Sequence, residues 1–409
     1  MYFIYNMFLI LIFPIFLLYF GINFLFFSHN KKFIKNRFGF IDIKSTNSIL
    51  IHAISAGEVV STFPLIKELQ KKTHKKIILS TGTNAGFILA SQKLENVEII
   101  FFPFDFWWSI KKTLKTINPS LIIIMEVEIW PNLLLLAHKL NIPIVMMNGR
   151  IYKKDLKAYK KLSFFFKKIL NYFTICGMQS EEDKNRLIEI GAPKEKVIFY
   201  GNTKFDYDLP EKVIFYDIKI PFNQQIIVAG STHKDEDKKV LEVYKNIRLK
   251  YENVCLIIAP RHLDRIETIE KICQNLNLSF CKRTNIKKNT QVIILDTIGE
   301  LGKIYSLANI VFIGGSLVPI GGHNLIEAAI FAKPIIFGHY MENFKELKNL
   351  FLSCNGAIEI QNVKELEQKF IFLLENEIER NKIGNNAYKI IKKNQGITLK
   401  YIEMIKQWL

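Results

Sequence analysis

The stretch NIVFIGGSLVPIGGHNLIEAA (309–329) decides the fold, because it contains a strand, a loop and the start of a helix in succession. Residues 309–313 form a short, apolar, β-branched run, which predicts a strand buried on both faces of a parallel sheet. Four glycines lie in the loop 314–322, and helical spacing resumes at 325–329. A glycine-rich turn from a buried strand into a helix is typical of α/β domains that bind phosphorylated ligands.

Similar apolar runs alternate with longer amphipathic stretches on both sides of this unit. The predicted strands are 48–54, 76–80, 97–102, 120–125, 142–147 and 172–177 in a first series, and 225–230, 253–260, 291–296, 309–315, 333–338 and 356–360 in a second. A turn-rich stretch near 206–224 separates the two series. We therefore predict two Rossmann-like doubly wound α/β domains, 29–208 and 209–409. An arrangement in which the last helix packs back on the N-terminal domain stays open.

The N-terminal region differs in kind from the rest of the chain. Residues 1–27 carry no charged side chain, and the run is long enough to cross a hydrocarbon core as a helix. Basic residues follow at once, namely His29, Lys31, Lys32, Lys35 and Arg37. This order predicts an uncleaved membrane anchor over 1–28, with the remainder on the cytoplasmic side. A helix lying in the membrane interface is the open alternative, because Pro14 and Gly21 interrupt the run.

The charge balance favours anionic partners. The 409 residues carry a formal net charge of +18. Seven lysines interleaved with aromatic residues between 153 and 168 suit an anionic membrane surface, although a solvated basic helix face is the simpler interpretation. No helix-turn-helix, RNP or zinc-knuckle pattern indicates nucleic acid. Five scattered cysteines without a CxxC pair argue against a disulfide framework and a structural zinc.

Acidic residues follow two of the predicted strands in the first domain. Glu58 comes after the strand 48–54, where a helix begins, and is a candidate general base for a sugar hydroxyl. The alternative is a carboxylate that only stabilises the helix N-terminus. Glu126 and Glu128 follow the strand 120–125, and two carboxylates two apart on an extended segment point the same way. Pairing with a neighbouring Lys or Arg is the structural alternative for them.

Loops of the second domain are predicted to bind a phosphorylated ligand. The glycine-rich loop 314–322 is expected to leave backbone N–H groups free for a phosphate, and Glu327 is placed to accept hydrogen bonds from a ribose diol. Two further strands are followed by 230–233 and 260–262, loop positions that could offer hydroxyls or a guanidinium to a phosphate. The loop is neither a GxGxxG nor a Walker motif, so redox-dinucleotide and NTPase functions are disfavoured.

Several motifs occur in one order along nearly the whole chain. They are SAGEV (55–59), EVEIWPN (126–132), GNTKFD (201–206), AGSTH (229–233), APRH (259–262), GELG (299–302), GGSLVPIGGHNLIEAA (314–329) and FGHYMENF (337–344). On these motifs the chain resembles the 3-deoxy-D-manno-octulosonic acid (Kdo) transferase family. The resemblance implies the GT-B fold, which has two Rossmann-like domains with an interdomain cleft.

The resemblance also implies roles for individual residues. Glu58 takes the place of the catalytic base, and Glu128 and Lys204 match positions credited with stabilising the transition state. The positions that match the nucleotide-binding set are Pro260, Arg261, Gly299, Glu300, Leu301, Asn324, Leu325, Ile326 and Glu327. The resemblance implies no metal and no cofactor besides the donor substrate.

The implied function is inverting transfer of Kdo from CMP-Kdo to the lipid A precursor, lipid IVA, in lipopolysaccharide inner-core biosynthesis. The expected location is the inner membrane, with the anchor in the bilayer and the two domains facing the cytoplasm. Expected partners are CMP-Kdo, the lipid A precursor and an anionic membrane surface, and no nucleic acid. Two alternatives stay open: another membrane-associated GT-B glycosyltransferase or nucleotide-sugar epimerase, and a membrane-bound lipid-binding protein without catalytic activity.

Overall fold

The structure is a computed structural model that describes residues 2–26, 31–43, 45, 47–126, 128–206, 224–287 and 290–409, with only the backbone described at 16–26, 31 and 154. The chain divides into two compact units. Unit 1 comprises Met1–Asp206 and Gly396–Leu409, and unit 2 comprises Tyr207–Gln395. Most of the predicted turn-rich boundary, at 207–223, and part of the basic flank, at 27–30, lie outside the described residues.

Unit 1 contains a seven-stranded parallel sheet in the order β3-β2-β1-β4-β5-β6-β7. Its strands are β1 Ser48–His52, β2 Ile77–Thr81, β3 Val97–Phe101, β4 Pro119–Met125, β5 Ile144–Gly149, β6 Ile175–Met178 and β7 Val197–Phe199. β1 lies beside β4, with His52 opposite Ile124, so the strand order reverses between these two strands. The loops after β1 and β4 therefore meet at the switch point where ligands bind in such sheets.

Helices cover both faces of this sheet, as expected for a parallel sheet whose central strands are buried and mostly apolar. In chain order they are α1 Tyr2–Phe26, α2 Lys31–Arg37, α3 Ala56–Lys72, α4 Asn84–Lys93, α5 Trp107–Ile117, α6 Pro131–Lys139, α7 Lys153–Lys161, α8 Ser163–Leu170 and α9 Glu181–Ile190. One face packs Leu50, Ile122 and Met146 against helix side chains, and the other packs Ile51, Ile123 and Val145. These two apolar layers hold the loops at the strand ends.

Unit 2 repeats the architecture with a second parallel sheet of seven strands, in the order β10-β11-β9-β8-β12-β13-β14. The strands are β8 Gln225–Thr232, β9 Val254–Pro260, β10 Phe280–Lys282, β11 Val292–Ile294, β12 Ile310–Ile313, β13 Ile335–Gly338 and β14 Ala357–Ile360. β8 pairs with β12, so the strand order reverses between them. The loops after β8 and β12 are therefore the counterpart of the switch point in unit 1.

The helices of unit 2 vary more in length. They are α10 Glu236–Arg248, α11 Ile266–Asn275, α12 Leu301–Ile304, α13 Ile326–Ala329, α14 Lys345–Ser353, α15 Val363–Glu375 and α16 Glu377–Asn394. The glycine-rich loop leads into α13, which is only four residues long. Such a short helix adds little dipole to its N-terminus.

The last helix of the chain, α17 Ile397–Ile405, belongs to unit 1. Ile397, Tyr401 and Ile405 are buried in the same apolar layer as β1 and α3. The Asp206 carboxylate accepts hydrogen bonds from the N–H groups of Gly396 (2.6 Å) and Thr398. One carboxylate therefore caps α17 at the point where the chain re-enters unit 1.

The predicted anchor segment forms the helix α1. Among the residues that the structure describes, no helix meets the combined length and apolarity of a membrane-spanning segment. Large apolar side chains of α1 are exposed, namely Phe3, Ile4, Met7, Phe8, Ile10, Leu11 and Ile15. Other side chains of α1 pack on unit 1, as described below.

Candidate active site

Glu58 lies at the switch point of unit 1, in the first turn of α3. Ser55 is the N-cap of this helix and accepts a hydrogen bond from the N–H of Glu58 at 3.3 Å. In return, the Glu58 carboxylate accepts from the Ser55 hydroxyl (2.9 Å) and from the N–H of Ile54 (2.8 Å). This is a variant of the capping box, which holds the carboxylate in a defined position at the strand end. Glu58 is 9% exposed.

The loop after the neighbouring β4 brings two more carboxylates to the same place. Glu126 has a left-handed backbone (φ 54°), so the strand ends at Met125. The prediction that Glu126 and Glu128 follow each other on an extended segment was therefore wrong. A non-glycine residue in this conformation is uncommon and is often found at functional sites.

Lys204 completes the cluster from the far end of the same sheet. Its Nζ lies 3.2 Å from Oε1 of Glu126. The turn Thr203–Phe205 that carries it is anchored by a hydrogen bond from the Thr203 N–H to Oδ1 of Asn148 (3.1 Å) and by the Asn202 side chain, which accepts from the Lys204 N–H at 2.9 Å. Asn148 is the penultimate residue of β5 and has a left-handed φ of 57°. The ammonium group is therefore held by a fixed backbone.

The charge of Glu126 raises the pKa of both other carboxyls, Glu58 and Glu128. Burial raises the pKa of Glu58 from 4.5 to about 7, and the charge of Glu126 adds to this, while the Ile54 N–H, Ser55 and Lys204 oppose it. Burial likewise raises the pKa of Glu128 to about 7, with further contributions from Glu58 and Glu126. A carboxylate with a pKa near neutrality is suited to general base catalysis at physiological pH.

The structure therefore brings together Glu58, Glu128 and Lys204, the three residues predicted for catalysis, within one electrostatic cluster. The structure also places Glu126, which the sequence analysis did not include among the catalytic residues, in this cluster. The pairing alternative that the sequence left open applies to Glu126, because its carboxylate contacts Lys204.

In unit 2, part of the predicted nucleotide-binding set lines a cavity. The cavity has a volume of about 380 Å³ and is lined by Ser231, Ala259, Pro260, Arg261, His262, Leu263, Asp264, Leu295, Thr297, Ile298, Gly299 and Leu301. Four predicted positions are among these, namely Pro260, Arg261, Gly299 and Leu301. Glu300 is also a predicted position, but it does not line the cavity. Its carboxylate accepts hydrogen bonds from Arg283 (3.3 Å) and from the Thr297 hydroxyl.

The remaining predicted positions, 324–327, are not part of this lining. Leu325 and Ile326 are fully buried in the apolar interior, and Oδ1 of Asn324 accepts from the N–H of Ile326 at 3.1 Å. Burial raises the pKa of Glu327, and Asn324 and Arg261 oppose this. Side chains of Leu325 and Ile326 therefore support the fold of this segment.

The glycine-rich loop has a role that the sequence did not predict. The Glu236 carboxylate, which is 0% exposed, accepts from the N–H groups of Gly315 (2.6 Å), Ser316 (3.1 Å) and Leu317 (2.9 Å). It also accepts from the N–H of His233 at 3.2 Å. The expectation that this part of the loop offers free N–H groups to a phosphate was wrong, because a buried carboxylate already occupies them.

Two histidines lie over the same loop. Nε2 of His233 and Nε2 of His323 are 2.8 Å apart, and the two rings stack at 6°. A hydrogen bond between two ring nitrogens requires one to donate and the other to accept. Burial lowers the pKa of His323 to about 4, and the charge of Arg261 adds to this. Both imidazoles are therefore neutral near pH 7, and the hydrogen bond between them connects the end of the loop to the residue after β8.

The predicted basic segment forms α7 and α8. Leu162 and Phe164 are exposed there, at 50% and 62%. Among the described residues, no group of three or more His, Cys, Asp or Glu side chains is arranged to hold a metal ion.

Residues 32–207 match the family described as 3-Deoxy-D-manno-octulosonic-acid transferase (kdotransferase). A bifunctional glycosyltransferase/methyltransferase of Fusobacterium nucleatum is 35% identical over 361 residues, which cover 85% of this chain and 56% of that protein. A 3-deoxy-D-manno-octulosonic acid transferase of Rickettsia felis is 31% identical over 381 residues, covering 88% of this chain and 79% of the relative. Among solved structures, UDP-GlcNAc 2-epimerase from Neisseria meningitidis bound to UDP-GlcNAc superimposes with a TM-score of 0.61 at 17% identity, covering 88% of this chain and all of that one.

The two parallel α/β units have a GT-B-like fold, and the family match with its transferase relatives makes the chain an enzyme of the glycosyltransferase class. The family match and the Rickettsia relative specify this class further. The chain belongs to the 3-deoxy-D-manno-octulosonic acid transferase family, and its function is Kdo transfer in lipopolysaccharide biosynthesis. The resemblance predicted from the order of the motifs is thus confirmed, and so is the prediction of two parallel-sheet domains.

Proposed function

We propose that this chain transfers Kdo from CMP-Kdo to a glucosamine hydroxyl of the lipid A precursor, with inversion at the anomeric carbon and Glu58 as the general base. The observation that carries the proposal is the Glu58 carboxylate, which is held by Ser55 and the Ile54 N–H with a pKa raised to about 7. Such a group is partly ionised at neutral pH and basic enough to accept a hydroxyl proton.

The proposed step is a single displacement. The acceptor oxygen forms a bond to the anomeric carbon of Kdo while the bond from that carbon to the CMP phosphate oxygen breaks. The hydroxyl proton passes to Glu58, and CMP leaves with the electron pair. Attack on the face opposite the leaving group inverts the configuration.

Lys204 and Glu128 have complementary roles in this proposal. Both the donor carboxylate and the departing phosphate are anionic, so a fixed ammonium group stabilises the charge that develops in the transition state. Lys204 supplies this charge from a turn that Asn148 and Asn202 hold in place. The charge of Glu126 keeps the pKa of Glu58 high, and the partly buried Glu128 is proposed to stabilise the positive charge that accumulates at the anomeric carbon.

We assign binding of the CMP group to unit 2. The cavity bounded by Pro260, Arg261, Gly299 and Leu301 is the size of a nucleotide-binding pocket. The Arg261 guanidinium is suited to a phosphate oxygen because it can donate two parallel hydrogen bonds. Glu327 is the proposed partner of the ribose hydroxyls. The reaction is proposed to need no metal, so added EDTA should leave the rate unchanged.

The proposed location is the inner membrane, with the two units facing the cytoplasm. The exposed apolar side chains of α1 and the lysines of α7 and α8 support a surface that meets anionic lipid. An acceptor with acyl chains in the bilayer would present its sugar hydroxyls and phosphates to such a surface. This placement also predicts that anionic vesicles stimulate the reaction.

The direct test is a product analysis. The purified chain is incubated with CMP-Kdo and tetraacylated lipid A precursor, and the lipid product is examined by mass spectrometry. A mass increase of one or more Kdo units supports the proposal and counts the sugars added. Parallel incubations with UDP-GlcNAc, in the presence and absence of acceptor, detect an epimerase or another transferase. Conversion of UDP-GlcNAc without any Kdo-containing product would refute the proposal.

A further inference from the structure

The N-terminal helix α1 is attached to unit 1 through polar side chains. The Tyr2 hydroxyl donates to the carbonyl of Pro131 at 3.0 Å, and the Tyr5 hydroxyl donates to Oδ2 of Asp105 at 2.9 Å. Asn6 and Asn132 join their side-chain amides in a reciprocal pair, at 3.1 and 2.9 Å. Every one of these contacts reaches the first turn of α6 or the carboxylate that caps it.

Asp105 is the centre of this arrangement. Its carboxylate is 5% exposed and accepts from the backbone N–H groups of Asn132 (2.9 Å) and Leu133 (3.0 Å). These are donors that a helix normally leaves to its own N-cap side chain. The N-cap of α6 is Trp130, whose side chain makes no capping hydrogen bond. Asp105 therefore caps α6 from a different loop, and Tyr5 ties that cap to α1.

The capped turn directly follows the segment that carries Glu126 and Glu128. Trp130 lies between this segment and α6, and its ring packs 5.2 Å from that of Phe102, which precedes Asp105 in the β3–α5 loop. The residues that follow Glu128 are thus held by two contacts. The Asp105 carboxylate caps the first turn of α6, and the ring of Phe102 packs against Trp130. Both come from the loop to which α1 is hydrogen-bonded.

Further along α1, Phe13 packs edge-on against Phe106 (5.2 Å) and Trp108 (5.5 Å). The side of α1 that faces away carries the exposed apolar side chains described above. One side of the helix is therefore joined to the loop behind the catalytic segment, and the other is the side proposed to meet lipid.

We propose that α1 is a positioning element of the active site, and that Tyr5, Asp105 and Asn132 form a latch that holds Glu126 and Glu128 in their catalytic positions. The inference rests on the proposed roles of Glu58 and Glu128. Asp105 and Tyr5 touch neither substrate nor the reacting atoms, so they act through α6 and the segment that precedes it. Release of α1 from the rest of unit 1 lowers turnover by letting Glu126 and Glu128 move away from Glu58.

The test compares Tyr5→Phe and Asp105→Asn with matched controls. Tyr251→Phe is the control for the tyrosine, because the Tyr251 hydroxyl also donates to a carboxylate, that of Glu375 in unit 2. Asp42→Asn is the control for the aspartate, because Asp42 is exposed and lies outside the site. Three quantities are measured on each full-length protein in detergent: amide exchange at 132–133, kcat with KM for each substrate, and the pH dependence of kcat/KM.

We expect amide exchange at 132–133 to rise about ten-fold in the latch variants, because a capping bond is weakened. We expect kcat to fall about ten-fold or more, since small displacements of catalytic groups are costly, while KM for CMP-Kdo stays within about two-fold. The midpoint of the pH profile shifts to lower pH, because Glu126, whose charge raises the pKa of Glu58, moves away from it. The control variants match the wild type in all three measurements.

Faster exchange at 132–133 with unchanged kcat and pH profile would overturn the proposal, and so would unchanged exchange in both latch variants. Tyr5→Phe removes a single hydroxyl, so it provides the test even where Asp105→Asn fails to fold. A wild-type protein that forms no Kdo product would refute the proposed function instead. The exchange measurement would still report whether α1 holds α6.

Discussion

Nζ of Lys204 lies 3.2 Å from Oε1 of Glu126, and these two residues act on Glu58 in opposite directions. The charge of Glu126 raises the pKa of the Glu58 carboxyl, while the charge of Lys204 lowers it. The two charges of the ion pair therefore partly offset each other in their effect on the pKa of Glu58. Removal of either partner leaves the other uncompensated.

We predict opposite shifts in the pH profile when the two partners are neutralised separately. Glu126→Gln removes a negative charge, so the pKa of Glu58 falls and the ascending limb of kcat/KM moves to lower pH. Lys204→Met removes a positive charge, so the limb moves to higher pH. Lys204→Met also lowers kcat by about ten-fold or more, because a charge that stabilises the transition state is lost.

The measurement is kcat/KM between pH 5 and pH 9 for both variants and for Lys184→Met. Lys184 pairs with Glu181 on the exposed side of α9 and serves as the matched control. Shifts of both site variants in the same direction would show that the cluster does not set the pKa of the base.

Glu236→Gln should weaken donor binding more than turnover. The amide has one acceptor oxygen and one NH₂ group, so it leaves some of the four backbone N–H groups that Glu236 accepts without a partner. We expect the free energy of unfolding of unit 2 to fall by about 2 kcal/mol. KM for CMP-Kdo should rise about ten-fold while kcat changes less, because the loop after β12 loses its shape.

Glu242→Gln is the control for this variant, since Glu242 is an exposed carboxylate on the same helix and pairs with Lys238 at 3.7 Å. Denaturant unfolding and isothermal titration with CMP would measure the two effects. Wild-type affinity for CMP in Glu236→Gln would mean that the loop does not contribute to nucleotide binding.

Asp206→Asn should loosen the C-terminal helix. The substitution weakens the hydrogen bonds to Gly396 and Thr398, and loss of such a cap costs about 1 kcal/mol. Limited proteolysis should therefore cut near 396 sooner than in the wild type. Glu403→Gln, an exposed change on the same helix, should be cut at the wild-type rate. Equal proteolysis of Asp206→Asn and the wild type would contradict the capping role.

Stability should fall as the pH rises through neutrality. The pKa of Glu58 and of Glu128 is raised from 4.5 to about 7 in the folded protein. Between these values the folded chain binds more protons than the unfolded chain, so the free energy of unfolding decreases with increasing pH. Glu128→Gln removes one of these groups. We predict that its Tm relative to the wild type is higher at pH 8 than at pH 5.

The control is Glu98→Gln, which changes an exposed carboxylate that pairs with Lys76. Its Tm difference from the wild type should show no trend over the same pH range. A constant difference for Glu128→Gln as well would mean that the folded protein does not raise the pKa of this carboxyl.

The sheets were largely predictable, because burial of both faces leaves a visible run of apolar, β-branched residues in each long strand. β7 and β10 were missed. Each has only three residues and lies at a sheet edge, where one side needs no covering strand. The run that marks a central strand is too short there to separate it from a loop.

The residues proposed for catalysis were identified from their motifs, but the side chains that support the two sites were not predictable. Glu236 acts on a loop about 80 residues away, and this depends on β8 lying beside β12. Hydropathy described α1 as a uniformly apolar segment, since Tyr2, Tyr5 and Asn6 contribute little to an average over its length. Only the packing of α6 gives these side chains their partners.

The most direct test of the account is kcat/KM of Glu58→Gln, measured across pH with CMP-Kdo and the lipid acceptor. Glu68→Gln, near the C-terminal end of the same helix, where Glu68 pairs with Lys71, is the control. The account predicts that the wild type gains activity through a midpoint near pH 7, and that Glu58→Gln loses about a hundred-fold or more in rate together with this midpoint. A folded Glu58→Gln protein that binds CMP-Kdo and turns over near the wild-type rate, with the midpoint retained, would contradict it.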